Sequence, residues 1–144
     1  MPTVREILAR KGSHVFTTGP GATALEAALL MNEHKIGALV VIDAGRVIGM
    51  FTERDVLRRI VGEQRDPART AVADVMTTEV ACCSLETALD EASGAMKNRR
   101  IRHLPVVEDG RLRGLISIGD LNAHEMTSQE QTIHLMHEYL YGRT

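Results

Sequence analysis

Hydrophobic and polar positions follow two alternating rhythms along the first half of the chain. Thr3 and Glu6 frame a capping box for a helix over residues 4–10, which Gly12 can end. "HVFTT" (14–18) is β-prone and stops at the turn signal "GPG". From Thr23 to Glu33 the spacing becomes helical, with Leu25, Ala28, Leu29 and Asn32 on one face. "ALVVI" (38–42) is a continuous apolar run, the signature of a strand covered on both sides. "DAGR" then supplies a hairpin turn around Gly45, and "VIGMF" returns as its partner strand. A second helix starts at Thr52, with Val56, Leu57 and Ile60 on one side. The unit reads strand, helix, strand, strand, helix.

The same unit is written twice. "DAGRVIGMFTERD" (43–55) returns as "EDGRLRGLISIGD" (108–120), so that Gly45, Arg46, Gly49 and Asp55 become Gly110, Arg111, Gly114 and Asp120, 65 positions on. Thr52 becomes Ser117, and "IGALVVI" aligns with "IRHLPVV". Leu25 aligns with Leu89 by 64, which implies one extra residue in the second helical region. The second copy opens with a helix at "VADVM" (72–76), then predicts a strand at "VACC", a helix over 86–97, strands at "LPVV" and "RLRGLIS", and a helix from Ser117 to Met126. A last helix carries Ile133, Met136 and Leu140 until Gly142. Its stripe is expected to pack on its own domain or on a twin helix, with His134 and His137 in a surface or interface role. The divisions are 1–68, 69–126 and 127–144.

Composition narrows the chemistry. A net charge of −2 over 144 residues gives no field for nucleic acid, and with 3% aromatics and no Trp there is no stacking platform. The basic run "KNRRIRH" is too short to reverse that, so nucleic acid is not an expected partner. Cys82 and Cys83 are adjacent, without zinc or redox spacing, and at least one is expected to be a small buried apolar residue. No nucleophile–base pair or metal set is visible, which argues against an enzyme. "MPTVREILARKG" has no apolar run of membrane length, so a cytoplasmic protein without a membrane partner is expected.

"GLISIGD" (114–120) carries the most chemical content. Ser117 can cap a helix with Asp120 at the third helical position, a variant of the capping box. A hydroxyl, free helical N–H groups and a carboxylate can also hold a phosphorylated, diol-bearing molecule. Asp reaches back less well than Glu, which favours a ligand role for Asp55 and Asp120.

The doubled G-h-h-[ST]-x-x-D motif, each copy preceded by an apolar strand and a Gly hairpin, resembles a tandem pair of CBS domains from about Lys11 to Met126. The resemblance implies an α+β fold of two β-α-β-β-α units packed through their sheets with pseudo-twofold symmetry, plus flanking N- and C-terminal helices. It further implies a non-catalytic regulatory module that needs no cofactor. Two clefts would take an adenosyl ligand, AMP, ADP or ATP first, with NADH, S-adenosylmethionine or an empty structural dimerisation module as alternatives. Homodimers forming a disc and a separate effector protein belong to the same expectation. By similarity, Lys11, Gly12, Ser13, Val15, Ile36, Gly37, Arg102 and His103 would line one cleft with Ser117 and Asp120. Thr52, Arg54, Asp55, Met76, Thr77 and Ile101 would line the other. Arg102 and His103 stand where the first copy has Gly37 and Ala38, and Lys11 where the second has Met76. Those cations make the Asp120 cleft the expected nucleotide site.

Overall fold

The computed structural model describes residues 2–126; the last predicted helix, with Ile133, His134, Met136, His137 and Leu140, lies outside them, as does the 127–144 division. In chain order the elements are α1 (Val4–Lys11), β1 (Thr17–Thr18), α2 (Ala24–His34), β2 (Ala38–Asp43) and β3 (Arg46–Thr52). A single α-turn, α3 (Glu53–Asp55), continues into a π-helical segment, Val56–Val61. After a 3-10 turn at Pro67–Arg69 come α4 (Val72–Val75), α5 (Leu89–Arg99), β4 (His103–Glu108), β5 (Arg111–Ser117) and α6 over 118–126. This is the α+β duplication the pattern predicts.

Both hairpins close on two-residue turns in which each central residue has positive φ, Ala44 (51°) with Gly45 (78°) and Asp109 (51°) with Gly110 (77°). That is the turn whose twist suits paired strands. Each hairpin also carries an irregularity at the same place, between Val41 and Ile42 and between Val106 and Val107. The helices correspond at the same 65-residue interval. Thr23 and Ala88 precede them, and Lys35 and Arg100 end them in the left-handed conformation. The extra helical residue predicted from aligning Leu25 with Leu89 does not exist, because Ala24 is the structural counterpart of Leu89.

The strand predicted at "VACC" shrinks to a bridge between Cys83 and Val106. In the first unit β1 pairs with β2 in parallel, and Val40 N donates to Phe16 O. The residue corresponding to Val40 is Pro105, which has no N–H to donate. Only Cys83 N to Pro105 O and Val107 N to Cys83 O remain. Cys82 is exposed and Cys83 half-buried. Leu57, expected on the same side as Val56 and Ile60, is exposed instead. The wider π-helical winding, seen in Gly62 N bonding to Leu57 O, turns it away while Ile60 stays buried.

The two units exchange their leading helices. Val4, Ile7 and Leu8 of α1 are buried with Leu89, Met96, Leu104 and Ile116 of the second unit. Val72 and Val75 of α4 are buried with Ala27, Met31, Leu39 and Phe51 of the first. The backbone repeats the exchange: Val4 N donates to Thr87 O and Leu89 N to Pro2 O, as Val72 N does to Ala22 O and Ala24 N to Thr70 O. Thr87 O and Leu85 O accept the N–H groups of Val4 and Arg5 at the start of α1, and Thr3 makes no side-chain cap, so the predicted Thr3–Glu6 capping box is absent. Burial of Val4, Ile7 and Leu8 contributes roughly 1.5–3 kcal/mol each. A third cluster, Ala38, Val40 and Met50 with Val15, Val80, Leu112 and Leu115, joins the two sheets. The result is a pair of units related by a pseudo-twofold axis.

Candidate functional site

Two clefts open between the units, one on each side of that axis. Each lies where a hairpin strand ends and a helix begins. Thr52 takes an extended conformation at the end of β3, accepts a hydrogen bond from Asp55 N (3.3 Å) and leads into α3. Asp55 reaches back to Thr52 N at 3.0 Å, which completes a capping box. Ser117 and Asp120 repeat the arrangement, with Asp120 N to Ser117 Oγ at 3.1 Å and Ser117 N to Asp120 Oδ2 at 2.8 Å. Both aspartates therefore cap fully, against the expectation that Asp reaches back poorly. In both copies the third helical residue stands within reach of the strand end, so the Asp carboxylate meets the capping residue's N–H without the extra methylene of Glu.

The carboxylates differ in what else they hold. Asp55 is 5% exposed. It accepts the Thr77 hydroxyl at 3.1 Å on Oδ1 and the Thr52 hydroxyl at 3.2 Å on Oδ2. Arg59 Nε stands 3.7 Å from Oδ1, while its Nη1 donates to Met76 O at 2.7 Å. Asp120 is more open, and Lys11 Nζ donates to its Oδ2 at 2.7 Å and to Leu115 O at 2.8 Å.

The Asp55 cleft is walled by Thr52, Glu53, Arg54, Asp55 and Gly37 from one unit and by Thr77, Glu79, Ile101, Arg102 and His103 from the other. The cleft beside Asp120 is walled by Lys11, His14, Val15, Phe16, Ile36, Gly37, His103 and Ser117; Asp120, expected in it, is not part of that wall and meets it through Lys11 and Ser117. Arg102 was expected beside Asp120 and instead lines the Asp55 cleft. It precedes β4 next to Ile101, on the same side of the axis as Thr77, and its carbonyl is held by Ile118 N at 2.8 Å. Arg54 joins it there, with Nη1 on Arg100 O at 3.0 Å. Gly37 and His103 line both clefts.

Three further assignments change. Gly12 and Ser13 are exposed in the turn after α1 and form no part of the cleft wall. Met76 packs in the first unit's core, its sulfur against the backbone of Gly49, where a Cβ would lie 2.7 Å away. Its counterpart is Leu8, which sits over Gly114 in the same way, so Met76 does not correspond to Lys11. Sequence reasoning missed Glu53, Glu79, His14 and Phe16. Glu53 follows the capping Thr52 directly, and its carboxylate rests 3.1–3.3 Å from where a Gly37 Cβ would stand.

His103 joins the electrostatics of the two clefts. Burial lowers its pKa from the ordinary 6.5, and the Lys11 ammonium lowers it further; Asp120 and Glu53 oppose this, while Arg102 adds to the lowering. Burial pushes the Cys83 thiol up to about 12, with Cys82 adding to the effect, so neither geometry nor acidity prepares it as a nucleophile. Among the described residues no helix is long and apolar enough to cross a membrane.

Comparison with known proteins agrees with this architecture. The CBS domain family matches twice, over residues 4–62 and 72–126. The CBS domain-containing protein YhcV of Bacillus subtilis is 37% identical over 117 residues, covering 81% of this chain and 83% of that protein. The crystal structure of the CBS-domain containing protein ATU1752 from Agrobacterium tumefaciens has a TM-score of 0.81 and 42% identity, covering 86% of this chain and 99% of that one. The CBS domain pair of protein MJ0100, solved with 5'-methylthioadenosine and S-adenosyl-L-methionine, has the same fold, with a TM-score of 0.79 at 22% identity over 89% of this chain and 98% of that one.

Proposed function

From the premise that the chain belongs to the CBS domain family, as a tandem pair, we propose that it is a non-catalytic sensor of an adenosyl ligand. AMP, ADP or ATP is the first candidate, and occupancy is relayed to a separate partner protein. The observation that carries this is the convergence of Arg54 and Arg102, from different units, on the cleft that holds Asp55 and Thr52. A guanidinium pair suits a phosphate, and hydroxyls with a carboxylate suit a ribose. A ligand held by both units acts through its different affinity for two arrangements of them. The module is proposed to work as a homodimer, paired through the helices after the motif, where Leu57 and Val61 are exposed.

The Asp55 cleft is the preferred phosphate site on these grounds. The competing reading, a structural dimerisation module with empty clefts, draws on one observation: both motif carboxylates already hold partners inside the protein. A thermal-shift panel of adenosine, AMP, ATP, NADH and S-adenosylmethionine on nucleotide-stripped protein decides between them. A ligand at 100 times its Kd adds about 2.7 kcal/mol, or roughly 5 °C for a chain of this size. Arg102→Ala is expected to reduce the AMP shift and leave the adenosine shift intact. No shift with any compound would favour the structural module.

A further inference from the structure

The Asp120 cleft already contains an occupant of its own. Lys11 is the last residue of α1, and Gly12 (φ 91°) turns the chain away behind it. Its ammonium is left in the cleft, between Leu115 O and Asp120 Oδ2. Ser117 N donates to that same oxygen, so among the described residues both hydrogen bonds to the Asp120 side chain fall on Oδ2. The other cleft is built differently: the segment after its exchanged helix offers Asp55 the neutral hydroxyl of Thr77.

We infer that Lys11 is an internal counter-ion that makes the Asp120 cleft selective for nucleoside phosphates over uncharged nucleosides. The inference rests on the adenosyl reading of the clefts and assigns a ligand class to one of them. A ribose diol binds a carboxylate best through both oxygens, and here one is held by a charge-assisted bond stronger than a hydroxyl can offer. An uncharged nucleoside that took Asp120 would replace that ion pair with neutral hydrogen bonds and leave the ammonium without a counter-ion. A phosphate avoids that loss. It becomes the new counter-ion of Lys11 while the freed carboxylate accepts the diol, so ion pairing is conserved through the exchange.

The test is a titration with AMP and with adenosine, followed by NMR at single amides. Ser117 and Ile118 report the Asp120 cleft; Thr52 and Glu53 report the other. In the natural protein AMP is expected to bind more tightly than adenosine at Ser117. Lys11→Met, which keeps the aliphatic stem, should strengthen adenosine and weaken AMP there, so that their ratio falls by about tenfold or more. Lys11→Arg, which keeps the charge, should retain the preference. An unchanged ratio at Ser117 in Lys11→Met, or an equal change at Thr52, overturns the inference while the adenosyl reading stands. If neither compound moves an amide of either cleft in any variant, both fall together.

Discussion

The bare backbone of Gly49 faces the carbonyl of Thr77, and a Cβ added there would lie 2.8 Å from that oxygen. The contact lets β3 run beside the segment that follows α4, with Met50 and Thr77 exchanging hydrogen bonds of 2.9 and 2.8 Å. Gly114 makes the matching contact with the end of the Leu8 side chain. A leucine side chain can shift where a hydrogen-bonded carbonyl cannot. Gly49→Ala is therefore expected to destabilise the fold by about 1–3 kcal/mol, and Gly114→Ala by less. Urea unfolding midpoints of the two variants check the order.

The two motif aspartates should separate in a stability measurement. Asp55 is buried and holds the hydroxyls of Thr52 and Thr77 as well as Thr52 N. Asp55→Ala leaves those groups without an acceptor, at an expected cost of about 1–3 kcal/mol per buried group left unpaired. Asp120 is more open, and Lys11 can turn to water when it is removed. Chemical denaturation of Asp55→Ala and Asp120→Ala should show the larger loss for Asp55, and equal losses would contradict the buried network.

Acidification should weaken the fold through His103. Its folded pKa lies below the ordinary 6.5, first through burial and then through Lys11. The unfolded chain therefore takes up a proton before the folded one does. The stability linked to His103 is complete above pH 6.5 and is lost as pH falls from there through the folded pKa. Denaturation midpoints between pH 5 and 8 should fall on the acid side in the natural protein, with a smaller fall in His103→Gln. Identical pH profiles would remove His103 from the account.

The adjacent cysteines should react unequally. Cys82 is exposed, whereas Cys83 donates its thiol to Pro105 O at 3.7 Å and has a pKa near 12, raised by burial. Partial burial raises Cys82 as well, so neither is expected to react quickly. Iodoacetamide at pH 8, followed by peptide mass mapping, should label Cys82 first and leave Cys83 largely unmodified in the folded protein. Faster labelling of Cys83 would contradict its burial.

The elements of this protein were legible in its sequence because their causes are local. Apolar rhythm marked α2, β2, β3 and their copies, and the Gly45 and Gly110 turns sat where two-residue hairpins need positive φ. The capping pairs Thr52–Asp55 and Ser117–Asp120 were visible as spacing. Tertiary structure decided what crosses from one unit to the other. The stripe on α1 is equally apolar whichever core receives it, and only the exchange places Val4, Ile7 and Leu8 in the second. Arg102 follows Ile101 at the very edge of a strand, and the packing of the sheets about their axis, not its position in the motif, puts it in the Asp55 cleft. Pairing from the other unit likewise decided that Asp120 would meet the ammonium of Lys11, 109 residues away, and Asp55 the hydroxyl of Thr77. A one-dimensional repeat carries the symmetry of the two units; the charges that make their clefts different come from contacts between them.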